Sequence, residues 1–194
     1  MRGVSDKLQR KSIRLKEYDY AAIGYYFITI CTHLRECLFG EIINEKMVLN
    51  RNGKIIHTEW LKTPVIRPNV RLDEFVIMPN HLHGILVIEY SMNRDNGCNG
   101  RGVMHYTPTE IQTEIPHLRS PSQTIGSIVR GFKSAVTKQI NGIRNTPGYP
   151  IWQRNYYERI IRNDRELFNI RQYIISNPLK WEWDKENQQN WKTV

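Results

Sequence analysis

The stretch LDEFVIMPNHLHGILVIE, Leu72 to Glu89, decides the fold. Two runs rich in β-branched and apolar residues, Leu72–Met78 and His81–Glu89, are separated only by Pro79-Asn80. That spacing predicts a tight hairpin in the middle of a sheet. Residues two apart on a strand project from the same face, so His81 and His83 point one way while Leu82 faces a core. Two imidazoles on rigid backbone are a ready pair of metal ligands. The plain alternative is a pair of surface histidines on a half-exposed strand. With six histidines in the chain, one His-x-His pair is weak evidence by itself.

Upstream of the hairpin, Tyr25–Thr32 (YYFITICT) is a strand by composition, and Cys37–Ile43 is a second. Asn44-Glu45 makes a turn into Lys46–Leu49. Asn50 is placed as the N-cap of a helix running to about Thr63, with Ile56, Trp60 and Thr63 along one face and Pro64 and Pro68 ending it. Downstream, Ser91–Ser122 lacks periodicity and reads as a long irregular insertion. Thr124–Asn141 is the clearest helix, because Ile125, Ile128, Val129, Phe132, Val136 and Ile140 form a stripe at the helical period. Gly142 and Pro147-Gly148 close it. Trp152–Ile161 reads as a strand. Asn163 followed by Glu166 is a capping-box-like start to a helix that reaches Asn177 and is stopped by Pro178. This order predicts an α+β fold: a ferredoxin-like or RRM-like antiparallel sheet, with helices packed on one face and a tyrosine-bearing C-terminal helix.

The chain has 194 residues, 40% of them hydrophobic and 24% charged, which suits one globular domain over 1–194 with a basic arm over about 1–18. This composition excludes collagen-like, coiled-coil and wholly disordered classes. No apolar run approaches the roughly 20 residues of a membrane span, and the basic N-terminus has no apolar core of a secretory signal. Three cysteines make no disulfide framework, so a reduced, cytoplasmic setting is expected. Lys and Arg number 28 against 19 Asp and Glu, a net charge of +9 that points to a polyanion, most economically a nucleic acid. Arg130, Lys133 and Lys138, off the apolar stripe of their helix, and Arg154 are candidate DNA contacts; a solvated face explains them equally well.

On the last helix Tyr173 and Asn177 are four residues apart and share a face. Leu167, Ile170 and Ile174 define its packing side, and Tyr173 and Asn177 sit at the edge, where a side chain can reach a site on the sheet. Alternatively, Tyr173 is a boundary aromatic and Asn177 a C-cap. Two histidines on a strand, a tyrosine on a helix and an amide one turn beyond make a recognisable set. In these residues the sequence resembles the single-tyrosine HUH endonucleases, and most closely the REP-associated tyrosine transposases. The matching stretches are FVIMPNHLHGILV, TIGSIVRGFKSAVTKQI, IWQRNYYERIIRN and IRQYIISNPLKW, with YFITICTHLR as a first strand.

The resemblance implies that His81 and His83 are a metal-binding pair, Tyr173 the nucleophile and Asn177 a third, weaker ligand. It also implies single-stranded or hairpin DNA of the repetitive palindromic kind as partner, in a monomer or a homodimer. Many relatives in the wider superfamily carry glutamine where Asn177 stands. A phosphodiester is anionic and resists attack, so a divalent cation must polarise it. Two imidazoles, an amide oxygen and phosphate oxygens suit Mg²⁺ or Mn²⁺, although Zn²⁺ also accepts histidine. A phenol, with a pKa of about 10, needs activation at neutral pH. Attack by Tyr173 would leave a 5′-phosphotyrosine and a free 3′-hydroxyl. Two rival functions keep part of the set: a DNA-binding regulator without chemistry, and a metal-dependent nuclease in which water attacks and Tyr173 only packs.

Other residues rank lower. Tyr156 and Tyr157 are adjacent, hence on opposite faces of a strand, and suit packing or base stacking. Cys31, His33 and Cys37 match no paired zinc spacing. His57, His105 and His117 are isolated, and Gly97, Gly100 and Gly102 lack the flanking elements of a phosphate loop.

Overall fold

The computed structural model describes residues 19–89 and 124–187. The expected basic arm and the 91–122 insertion lie outside these residues. The elements in chain order are β1 (Gly24–Cys31), β2 (Gly40–Ile43), β3 (Lys46–Leu49), α1 (Arg51–Leu61), α2 (Thr63–Ile66), β4 (Val70–Ile77), β5 (His81–Ile88), α3 (Ile125–Arg144), β6 (Tyr157–Ile161) and α4 (Asp164–Ser176). One sheet has the order β4-β5-β1-β6, and every neighbouring pair is antiparallel. β2 and β3 form a separate hairpin whose turn residues, Asn44 and Glu45, both take positive φ. Without that hairpin, the chain is two interlocked β-α-β units with β1 and β5 at the centre, the ferredoxin-like arrangement.

β5 is buried along its whole length, so both of its faces are covered. Leu82, Leu86 and Ile88 join Tyr26, Ile28 and Ile30 of β1 in a core capped by Ile56 and Trp60 of α1 and Ile128, Phe132 and Val136 of α3. Ile85 and Val87 face the other way and pack with Phe27, Ile161 and the α4 residues Leu167 and Ile174. The α+β class therefore holds, with one correction. Only α1 and α3 share a face, while α4 covers the opposite one. The reason lies in the unbroken apolar run of β5, which is the pattern of a strand buried on both sides. Gly84 is demanded by this packing: a Cβ there would lie 2.7 Å from Cζ2 of Trp60. The Trp60 ring meets Phe132 edge-on at 5.2 Å and so joins α1 to α3 over the strand.

Element ends follow local chemistry. Asn50 caps α1 by accepting from Gly53 N at 3.0 Å. The helix stops at Leu61, and Pro64 opens the short α2 instead of ending α1, since the first helical turn tolerates its missing N–H. Thr124 caps α3, which runs through Gly142 to Arg144 and ends at Asn145 in the left-handed region (φ 53°). The second strand starts only at Gly40, because Leu38 and Phe39 turn into the core.

β6 is likewise shorter than Trp152–Ile161. Trp152 still bridges Thr32 and Gln153 N donates to the Cys31 carbonyl, but the Lys133 ammonium takes the carbonyls of Gln153 (2.8 Å) and Asn155 (3.0 Å), and the ladder resumes only at Tyr157. Burial pushes this ammonium down to about 8. Asn163 accepts from Glu166 N at 2.9 Å to start α4. Pro178 does not end the helical path; it opens a 3-10 helix, Pro178–Trp183, immediately after α4.

A β-bulge between Leu72 and Phe75 puts one extra residue into β4. Beside it Arg171 of α4 donates to both Asp73 oxygens, from Nε at 2.7 Å and Nη2 at 2.6 Å. This two-pronged bond ties α4 to the sheet two residues before Tyr173. The Arg171 guanidinium holds the Asp73 carboxyl below its ordinary value. Folded Asp73 thus binds fewer protons than unfolded Asp73. The pair's contribution is complete above the unfolded value of about 3.9 and is lost as pH falls through the lower folded value. Because Arg171 is partly exposed, that contribution is on the order of 1 kcal/mol. Urea unfolding should show Asp73→Asn less stable than wild type near pH 7, with the gap closing at about pH 3. A gap of the same size at both pH values would assign the loss to packing instead of charge.

Candidate active site

The hairpin turn between β4 and β5 fixes the first imidazole. Asn80 Nδ2 donates to the carbonyls of Arg35 (3.0 Å) and Glu186 (2.7 Å). Its Oδ1 is therefore an acceptor, and His81 Nδ1–H donates to it at 2.8 Å. The lone pair of His81 is left on Nε2, which is buried and has no hydrogen-bond partner. His83, two residues along the same face, has Nδ1 2.8 Å from Thr29 Oγ1 and Nε2 3.2 Å from the Tyr173 hydroxyl. The tautomer that fits both contacts donates from Nδ1 to Thr29 and accepts at Nε2 from Tyr173 O–H. The two imidazole centroids are 4.4 Å apart. Burial keeps both neutral: His81 is pushed down to about 3, with the nearby Arg35 charge adding to the effect, and His83 falls well below its ordinary value. Neutral imidazole is the form that binds metals.

α4 and the 3-10 helix after it supply the oxygens. Asn177, at the C-terminal end of α4, is buried and donates from Nδ2 to Asp184 Oδ2 at 3.2 Å. That contact turns its Oδ1 away, buried and unpartnered. Asp184 follows the 3-10 helix and is held by Glu186 N, which donates to Oδ1 at 2.7 Å. Among the described residues, His81, His83 and Asp184 form one group whose ligand atoms all lie within 4.8 Å of one another. Tyr173 is 37% exposed, and its ring meets that of His83 at 5.2 Å. Burial, followed by the Asp184 carboxylate, pushes its phenol up to about 12.

A metal fits these residues on their own chemistry. Leaving buried donors and acceptors unpaired is costly, yet His81 Nε2 and Asn177 Oδ1 are both left so, beside a buried carboxylate. One cation would satisfy all three.

The structure thus brings together His81, His83, Tyr173 and Asn177 of the expected set. Asp184 was not expected from the sequence, nor was Asn80 as the orienting partner of His81. The motif WEWDKE carries the acidic signal seven residues beyond Asn177, but only the 3-10 turn brings it back to the histidines. The basic residues fall elsewhere. Arg130, Lys138 and Arg154 are exposed and do not line the site cavity, and Lys133 is engaged with backbone carbonyls. Cys31 does line that cavity and lies 3.5 Å from Glu186 Oε2, whereas Cys37 is exposed. Among the described residues, no helix is long and apolar enough to cross a membrane.

Taken with this geometry, the fold defines a class: a split β-α-β sheet with a His-x-His strand under a tyrosine-bearing helix. A solved REP-associated tyrosine transposase bound to a REP hairpin has a similar fold, with TM-score 0.54 and 19% identity over 90% of this chain and 77% of that one. No protein-family model matches the chain. It belongs to the same family as an uncharacterized protein of Haemophilus influenzae, 47% identical over 178 residues, which are 91% of this chain and 92% of that protein.

A ligand that binds only the folded state stabilises it by mass action, by about 2.7 kcal/mol at a hundredfold excess over its Kd. For a chain of this size that is a rise in Tm of roughly 5–10 °C. Saturating Mn²⁺ should produce such a rise in wild type and none in His81→Ala or Asp184→Asn. An equal rise in His81→Ala would place the cation elsewhere.

Proposed function

We propose that the protein is a tyrosine transposase and endonuclease of the HUH type, which nicks and rejoins single-stranded DNA beside a hairpin and works in the cytoplasm. The observation that carries this reading is the Tyr173 hydroxyl 3.2 Å from His83 Nε2, at the edge of the His81–His83–Asp184 cluster. A structural tyrosine on the packing face of α4 would have no reason to meet a buried ligand set. The regulator without chemistry is disfavoured because it has no use for two buried unpartnered acceptors.

His81, His83 and Asp184 would hold the cation, with Asn177 Oδ1 as a weaker fourth donor. Two nitrogens and a carboxylate suit Mn²⁺ better than Mg²⁺, which prefers oxygen. A bound divalent cation supplies positive charge that polarises the scissile phosphate. The remaining work belongs to the chain. α4, tied down by Arg171 and packed through Leu167 and Ile174, holds the phenol at the cavity wall. Tyr173 Oη attacks phosphorus, and an O–P bond forms as the bond from phosphorus to the 3′-oxygen breaks. The phenolic proton passes to solvent, and the departing 3′-oxygen takes one up from solvent. The product is a 5′-phosphotyrosine, whose retained ester energy allows rejoining to another 3′-hydroxyl without a nucleotide cofactor.

The test is incubation of a labelled hairpin oligonucleotide, carrying a single-stranded flank, with Mn²⁺ or Mg²⁺, followed by denaturing electrophoresis. Wild type should form a covalent adduct. Tyr173→Phe should form none and cut nothing, with hairpin affinity kept within a few fold. Cleavage that persists in Tyr173→Phe, without an adduct in wild type, would assign the attack to water. Asn177→Ala should slow the reaction less than His83→Ala, because water can replace an amide ligand.

With a net charge of +9, binding should also weaken steeply with salt as counterions are released. Affinity measured between about 50 and 200 mM salt should fall by at least tenfold for the flanked hairpin. A flat salt response would sink the idea of a phosphate-contacting surface.

A further inference from the structure

Among the described aromatic residues, Trp60, Tyr26 and Phe39 are fully buried and Trp152 nearly so. Two stand out at the candidate active site. Trp183, the last residue of the 3-10 helix, is 77% exposed, and Tyr157, the first residue of β6, is 46% exposed. Both line the cavity of about 900 Å³ that also contains Tyr173, His83 and Asn177. They come from separate elements, one continuing from α4 and one at the edge of the sheet. An indole left in water this close to a reactive site is the mark of a surface that stacks on a flat partner.

Tyr157 is held in place. Its ring meets Phe27 edge-on at 6.2 Å, and Phe27 stacks on His83 at 5.4 Å and meets Tyr173 edge-on at 6.1 Å. The aromatic contacts therefore run without interruption from His83 through Phe27 to Tyr157. Arg35, Lys180 and Lys185 line the same cavity, and both lysines are exposed. Flat aromatic faces beside cations match one chemistry: an unpaired nucleobase attached to its phosphate.

We propose that Tyr157 and Trp183 are the stacking contacts for an unpaired nucleotide of the strand entering the site, next to the phosphate that Tyr173 attacks. This rests on the transposase reading and specifies how that site holds its strand. Stacking uses the π-face that every base has, so these two residues bind the flank without choosing its sequence. They also hold the backbone beside Tyr173 before any bond is broken. Sequence preference must then come from other surfaces.

The experiment is equilibrium binding of the full chain to fluorescent hairpins, in EDTA so that no divalent cation or cleavage contributes. Three probes are compared: a hairpin with a single-stranded flank, the same hairpin without it, and a flanked hairpin with abasic sites in the flank. Wild type should bind the flanked hairpin about tenfold more tightly than the other two. Trp183→Ala should lose most of that advantage and leave the unflanked hairpin unchanged. It should be indifferent to the abasic sites, whereas Trp183→Phe should restore most of the preference. Tyr157→Ala should behave like Trp183→Ala.

A flank advantage kept in both alanine variants overturns the proposal, as does an equal loss of affinity for all three probes. The adduct assay fails or succeeds separately. An adduct in wild type with the flank advantage kept in the variants removes only the stacking role. A flank effect without any adduct removes only the chemistry.

Discussion

The candidate site depends on one amide in a two-residue turn. Asn80 donates from Nδ2 to two backbone carbonyls, one on each of the segments flanking the sheet end, and so presents only its oxygen to His81. That oxygen fixes the His81 tautomer, and the tautomer places an unshared lone pair on the buried Nε2. The bond to the Glu186 carbonyl holds that residue, and with it the backbone that positions Asp184. A hairpin turn thus sets both the nitrogen and the carboxylate of the candidate site: removing the amide would release both groups together. Orienting partners of this kind count for as much as the ligands they aim.

Much of the sheet was legible because its signals are periodic. The Leu72–Glu89 hairpin, the apolar stripe of α3 and the Asn163 cap of α4 all depend on contacts within a few residues. The pairing of His81 with His83 on one face also follows from strand geometry alone. What could not be read were properties set by distant partners. β6 is interrupted beside Lys133, about twenty residues earlier in the chain, whose ammonium takes the carbonyls of Gln153 and Asn155. The placement of α4 opposite α1 and α3 depends on β5 being buried on both faces. Asp184 lies in a segment with no periodicity, and it reaches the histidines only because Pro178 continues the turn after α4.

Lys133 shows why charge is a poor guide to a binding surface. Its spacing on α3 matched that of Arg130 and Lys138, yet it is drawn inward by backbone oxygens while those two remain in solvent. Net charge reports a tendency toward polyanions and leaves the address open. The cations that line the site cavity, Arg35, Lys180 and Lys185, come instead from the turn after β1 and from the C-terminal segment. Neither segment carries a helical stripe or a strand alternation that would have singled it out.

The electrostatics of the site set two demands against each other. Burial keeps the imidazoles neutral and ready to donate, but it also disfavours phenolate, and the Asp184 carboxylate adds to that penalty. With its phenol near 12, Tyr173 is almost wholly protonated at neutral pH, and its hydroxyl rests against His83. The carboxylate that disfavours phenolate is also one of the donors a divalent cation would engage. Positive charge at that point would cancel the Asp184 contribution and occupy the lone pair that now accepts from the phenol. The arrangement therefore links readiness of the tyrosine to filling of the ligand set, with Asp184 as the residue common to both.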